Sequence, residues 1–298
     1  MQKATILDVF LWLALATMWS SSYAVIKLAI TTIDSSVLVA GRMLVGTIII
    51  FIVLKARGLS LSWSKTVWSS YAITGLLGSA LPFLLITHGE QSVDSALASI
   101  LMGVAPVITL LVAAWLIPDE ALTLRIAFGV VGGFLGVAVL VGPAALAGLG
   151  DQLEGQSAII GATFCYAAST VYIRRFVSRP PLEMATGSMI VGTIFICTVV
   201  LLSGADVSSI EPTLPSLGAL IYLGVFSTAF ANLTYFYLVP RLGATRMSQV
   251  NFAVPVGGAV LGFLILGEAL TTQRAIALAI IIGSVYLSTT TSRSHGLK

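Results

Sequence analysis

A chain of 298 residues with 57% hydrophobic and only 9% charged side chains, and a mean hydropathy of +1.03, cannot build a water-soluble surface, because a soluble domain carries about 25% charged residues. The bilayer must be the solvent for most of its surface. The formal net charge of +3 is distributed over the ends of apolar runs, not gathered into a patch, which excludes a nucleic-acid binder. Cys165 and Cys197 each lie inside an apolar run, without C-x-x-C or Cys/His spacing, and read as small packing residues.

A membrane-crossing helix needs roughly 20 mostly apolar residues, and ten such runs can be drawn. The first half of the chain gives 8–30, 36–54, 68–87, 95–117 and 124–142. The second half gives 156–177, 183–203, 214–238, 245–266 and 273–290. No strand-like alternation of apolar and polar residues is present, which argues against a barrel. The first run lacks a strong basic flank and contains Trp19, Ser20, Ser21, Ser22 and Lys27, so it is expected to be a retained helix and not a cleaved signal.

Loop charges orient these spans. With the N-terminus in the cytoplasm, Lys3, Lys55, Arg57, Lys65, Arg125, Arg174, Arg175, Arg179, Arg241, Arg246, Arg293 and Lys298 all fall on the cytoplasmic side, twelve of the 15 basic residues. The opposite loops are acidic, with Asp34, Glu90, Asp94, Asp151, Glu154, Asp206, Glu211 and Glu268. This satisfies the positive-inside rule loop after loop. Both termini are expected in the cytoplasm of a bacterial inner-membrane protein.

The two halves repeat each other. Gly41-Arg-Met-Leu-Val-Gly-Thr-Ile48 matches Gly187-Ser-Met-Ile-Val-Gly-Thr-Ile194 at six of eight positions, and Glu120-Ala-Leu-Thr123 matches Glu268-Ala-Leu-Thr271. Pro106 aligns with Pro255, Trp19 with Tyr166, and Lys27 with Arg174. The division falls at 1–147 and 148–298. Five helices per copy is an odd number, so the second copy enters from the opposite side. The expected fold is therefore all-α, with ten transmembrane helices as two inverted five-helix repeats around a central cavity, an architecture of secondary transporters. Channels share inverted repeats, so the architecture alone does not fix the mechanism.

Polar and helix-breaking residues within the spans are the functional candidates, since lipid tolerates them poorly. Arg42 must find water, a partner or backbone carbonyls. It can meet a substrate carboxylate or act in gating, or it can snorkel or brace a neighbouring helix. Pro106 and Pro255 are paired mid-helix breaks, and Pro82 a third, each freeing a carbonyl. Asn232, Gln249 and Asn251 can bind both ends of a zwitterion or glue helices together. Trp19, Tyr23, Tyr166, Tyr235 and Phe236 can wall a site for apolar, flat or cationic groups or simply pack. His88 can couple protonation to transport or sit at a wet helix end. Met102 completes the candidate substrate cavity. Arg42, Glu120 and Glu268 are candidates for structural or gating roles. Gly129, Gly132, Gly133, Gly136, Gly257, Gly258 and Gly262 signal close helix packing.

No Walker A, H-E-x-x-H or G-x-S-x-G motif is present, and no acidic residue lies mid-membrane where Na⁺ or protons often bind. With two histidines in all, an intramembrane enzyme lacks its clustered acids and bases. No loop is large enough for a receptor or assembly factor. No catalytic residue, cofactor or metal is expected, and the partners are a small-molecule substrate and membrane lipid, without nucleic acid.

The pattern Trp19-Ser-Ser-Ser-Tyr-Ala-Val-Ile-Lys27 resembles the first-helix motif of the EamA-type transporters, within the drug/metabolite transporter superfamily. Arg42 matches that family's second-helix arginine. Residues Ala98 to Thr123, with Pro106 and Glu120, resemble its fourth-helix signature. Ala253 to Thr271, with Pro255 and Gly267-Glu268, resemble the second copy. The resemblance extends to the amino-acid exporter branch, whose bacterial members export aromatic and other amino acids. It implies a cavity lined by the third, fourth, eighth and ninth helices, with the first and sixth moving alongside. Pro118-Asp119-Glu120, in place of glycine-glutamate, and Asn251-Phe-Ala-Val before Pro255 depart from the pattern. The function expected is export of amino acids and related small metabolites by alternating access, in a functional monomer. Exporters of other metabolites or of cationic and aromatic drugs, and a channel, are the alternatives.

Overall fold

The computed structural model describes residues 5–93, 95–120, 122–142, 149–203, 213–257 and 271–289, and among them every regular element is helical. The helices are α1 (Ile6–Ala29), α2 (Ser35–Ala56), α3 (Lys65–Ser92), α4 (Ser95–Met102), α5 (Ala105–Leu116), α6 (Leu124–Val141), α7 (Leu153–Phe176), α8 (Pro181–Ser203), α9 (Leu214–Leu242), α10 (Ala244–Ser248), α11 (250–257) and α12 (Thr272–Thr289). Six of them, α1, α2, α3, α6, α8 and α9, are long and apolar enough to cross a membrane. At 1.5 Å per residue, the 24 residues of α1 exceed the roughly 30 Å hydrocarbon core. The expected sixth span corresponds to α7, which is equally long but less apolar. The expected ninth is described only as far as residue 257, and Glu268, Gly258 and Gly262 lie outside the described residues.

Helix starts are written locally. Asp34 caps α2, accepting from the backbone N–H of Ser36 at 2.8 Å and of Val37 at 3.4 Å. The Ser36 hydroxyl, followed by these amides, holds the Asp34 carboxyl below its ordinary range. Thr5 and Asp8 form a reciprocal capping box on α1. Thr123 and Thr213 cap α6 and α9.

α3 and α9 each contain a π-helical turn, at Leu76–Ala80 and at Val225–Phe230. These are matching places in the two copies, at the spacing that also separates Pro106 from Pro255. Pro82 follows the first turn and removes the N–H that would bond back one α-turn. Ala231 stands at the matching place in the second copy, so the proline is not what the two turns share. Both instead begin at a glycine pressed against another helix. A Cβ on Gly75 would collide with the Ser188 carbonyl of α8, and one on Gly224 would come within 3.1 Å of the Arg42 carbonyl of α2. Thus α3 packs on α8 and α9 on α2, each helix crossing to the other copy. Asn232, two residues past the second turn, accepts from the Ser79 hydroxyl of the first at 3.4 Å.

Repeat mates also meet directly. The hydroxyls of Thr47 and Thr193 are 2.7 Å apart, and the Trp19 and Tyr166 rings have centroids 6.1 Å apart. The largest apolar core gathers Leu15, Met43, Tyr71, Met189, Phe236 and Val250 from both halves. A second core closes α6 on α12, where Gly129, Gly132, Gly133 and Gly136 admit Ser288, Ser284, Phe252 and Ile281 to close contact. The outward surface is apolar. Trp115 and Leu202 are each 83% exposed, which suits lipid and not water.

Pro106 breaks its span outright: α4 ends at Met102, Gly103 and Val104 turn, and α5 restarts with the proline in its first turn. The second copy differs. Its break is at Gln249, between α10 and α11, and Pro255 lies inside the helical run 250–257.

Candidate functional site

The site forms because one face of each of several helices turns polar or aromatic at helical spacing. On α1 the residues Trp19, Ser22, Tyr23 and Ile26 share a face, and on α3 Phe83, Ile86 and Thr87 do. With Arg42 of α2, Met102 of α4, Tyr166 of α7, and Asn251 and Val254 of α11, they line a cavity. A second, smaller space lies among Ala105, Thr109, Thr170, Tyr235, Ser248 and Val250. Trp19, Tyr166 and Asn251 line both spaces and form the partition between them.

That partition is aromatic and braced. The Trp19 ring lies 5.8 Å from that of Tyr235, whose hydroxyl bonds that of Thr170. Asn251 donates to the Ser248 carbonyl at 2.9 Å, which directs the amide across the break between α10 and α11. Tyr235 packs edge-on against Phe236, which is buried in the core behind it.

Arg42 is 3% exposed. Its Nε donates to Thr228 Oγ1 at 3.0 Å and its Nη2 to the Ser227 carbonyl at 3.3 Å, both in the π turn of α9. The guanidinium lies 4.2 Å from the centroid of Phe83. No carboxylate pairs with it among the described residues.

Acidic side chains instead lock one end of the bundle, the end expected to face the cytoplasm. Glu120 accepts from the backbone N–H groups of Ala244 at 2.7 Å and Thr245 at 2.9 Å, and pairs with Arg174 at 3.3 Å. Asp8 pairs with Arg241 at 2.7 Å. Glu183 accepts from Tyr71 at 2.7 Å and from Arg179 at 2.9 Å, and this bond raises the Arg179 guanidinium above its ordinary range. At the opposite end, Lys27 donates to the backbone carbonyls of Glu90 and Val93.

Of the residues expected to form the cavity, the structure brings Trp19, Tyr23, Met102, Tyr166 and Asn251 together, with Tyr235 in the smaller space. Pro82, Pro106 and Pro255 sit one residue from the lining residues Phe83, Ala105 and Val254, and shape the wall through the backbone. Asn232 and Gln249 are engaged in packing, the latter donating to Ser288 Oγ at 2.7 Å. His88 is outside the lining, at an exposed helix end 3.1 Å from Glu154. Arg42, expected to be structural or gating, stands in the wall itself. The first helix contributes four lining residues, so it forms the wall where the resemblance implied that it moves alongside. Phe83 and Thr87 were not legible as candidates. Their only signal was a face four residues wide beginning beside Pro82.

The chain matches the model of the EamA-like transporter family twice, over residues 7–142 and 153–290. It is 28% identical over 287 residues to the uncharacterized transporter YvbV of Bacillus subtilis, covering 94% of this chain and 91% of that one. It is 25% identical over 283 residues to the uncharacterized inner membrane transporter YedA of Escherichia coli K12, covering 93% and 88%. A solved crystal structure superposes with a TM-score of 0.80 at 22% identity, covering 96% of this chain and 99% of the other, which shows a shared fold. The matched residues, the helical architecture and the cavity between two copies of one unit agree: the chain is a membrane transporter belonging to the EamA-like transporter family.

Proposed function

We propose that this protein is a secondary carrier that exports amino acids and related small metabolites across the bacterial inner membrane by alternating access. It works as a monomer with both termini in the cytoplasm. In this reading ten spans form two inverted five-helix repeats, 1–147 and 148–298. The observation that carries the proposal is the cavity closed by Trp19 and Tyr166, the same position in each copy. Two copies facing opposite ways can exchange conformations. The partition then lies on one side of the substrate in one state and on the other side in the alternate state. The carboxylate locks of Asp8, Glu120 and Glu183 gather at one end, which supports a state closed towards the cytoplasm.

Flux of labelled aromatic and aliphatic amino acids in proteoliposomes, with and without a proton gradient, tests this. Saturable, protein-dependent flux abolished by Asn251→Trp is the expected result. Absence of flux for every amino acid with folded protein overturns the amino-acid assignment. Non-saturable flux points to the channel alternative. The buried guanidinium in the wall, which pairs with no carboxylate among the described residues, opposes cationic drugs as cargo.

A further inference from the structure

We infer that Arg42 is the anion-binding element of the cavity, and that the substrates carry a carboxylate or similar single negative group on a flat or apolar body. This deepens the carrier reading and rests on it. Arg42 is a buried positive charge that lines the cavity, and among the described residues its only hydrogen bonds are to two neutral oxygens, Thr228 Oγ1 and the Ser227 carbonyl. The buried carboxylate of Glu90 acts on it electrostatically. A guanidinium has five N–H donors, and the planar fork of its two terminal nitrogens is suited to a carboxylate.

The fold does not need this charge. The repeat mate of Arg42 is Ser188, whose hydroxyl, among the described residues, bonds only within its own helix, to the Ala185 carbonyl at 3.0 Å. Yet the π turn of α3 that packs beside Ser188 forms as well as the turn of α9 beside Arg42. Bracing a π turn therefore leaves the arginine unexplained, and charges inside a membrane are costly enough to mark substrate paths. A second group points the same way. Thr87, 1% exposed and on the same α3 face as Phe83, lines the cavity with its hydroxyl unpartnered among the described residues. It supplies a further donor for an anionic oxygen. Trp19, Tyr23 and Tyr166 supply the flat apolar walls for the rest of the molecule.

The test is ligand-induced thermal stabilisation of the protein in lipid nanodiscs, using 3-phenylpropionate, 3-phenylpropionamide and phenethylamine. These probes share a ring and differ in charge. In the wild type the carboxylate is expected to act at a concentration at least tenfold lower than the amide or the amine. Arg42→Gln should erase that preference, and Thr87→Val should weaken the carboxylate several-fold while leaving the amide unchanged. Should Arg42→Gln not fold, the wild-type series and Thr87→Val decide the matter. Equal action of the amide or amine in the wild type, a preference that survives Arg42→Gln, or no shift with any probe overturns the inference. Amino-acid flux without carboxylate preference would sink this inference alone. Carboxylate-selective binding without flux would sink the carrier reading alone.

Discussion

Thr47 and Thr193 occupy the same position in the two copies, and their hydroxyls are 2.7 Å apart. Two mates of a repeat can touch only where the axis relating the copies passes between them. Thr47 also reaches the Met189 carbonyl at 3.2 Å, so the pair pins α2 to α8 at that axis. Interhelical bonds of this kind contribute about 0.6 kcal/mol on average. Thr47→Val and Thr193→Val should each destabilise by about that amount. The double variant should lose little more than either alone in a thermal-unfolding double-mutant cycle. Additive losses would mean that the two hydroxyls do not act as a pair.

The glycines at the π turns are steric requirements. Gly75→Ala drives a Cβ into the Ser188 carbonyl, and backbone cannot swing aside as a side chain can. A loss of about 1–3 kcal/mol is expected, the ordinary cost of overpacking. Gly218→Ala, on α9 of the other copy, meets nothing within 4 Å and should be neutral or stabilising by up to about 1 kcal/mol through helix propensity. Melting curves of the two variants side by side distinguish a packing glycine from an incidental one.

Glu120 connects three segments at one end of the bundle, and its side chain is 4% exposed against 20% for Arg174. Glu120→Ala leaves two backbone N–H groups and a guanidinium without their acceptor. It should cost about 3 kcal/mol. Arg174→Gln leaves the two backbone bonds intact and should cost about 1 kcal/mol or less. Equal losses in denaturant unfolding would show that the ion pair, and not the cap on α10, holds this end together.

The Asp34 cap should respond to acid. Its carboxyl is held low by Ser36 and the first amides of α2. The cap therefore contributes fully above the unfolded-state pKa of an aspartate and is lost as pH falls through the lowered native value. Asp34→Ala should cost about 1 kcal/mol at neutral pH, and the difference from wild type should narrow in acid. A gap unchanged on acidification would show that the charged carboxylate is not what caps the helix.

His88 meets Glu154 at an exposed end, with 49% and 88% of their side chains accessible. Exposed pairs contribute little. His88→Ala should leave stability within about 0.5 kcal/mol and leave proteoliposome flux and its pH profile unchanged. A flattened pH profile would return this histidine to the transport path.

Sequence legibility followed the physics of each feature. Trp19, Tyr166 and Asn251 could be named in advance because aromatic and amide groups within an apolar run need a protein-facing position. Pro106 signalled a break because a missing N–H acts locally. The π turns carried no such mark. Ala231 stands where Pro82 does, and the turn in α9 is tied to a contact with α2 that no local pattern encodes. Thr87 and Phe83 were silent because a threonine or phenylalanine in an apolar helix looks the same whether it faces lipid, core or cavity.

By itself the sequence determined the solvent, the helical class, the duplication and the family resemblance, since these follow from composition, run length and residue identity. The tertiary structure alone decided that Arg42 stands in the cavity wall, that His88 does not, and that Trp19, Tyr166 and Asn251 divide two spaces. Those outcomes depend on which helix faces meet across the two copies. That meeting is set by backbone approaches such as Gly75 to α8 and Gly224 to α2, between residues more than a hundred positions apart in the chain.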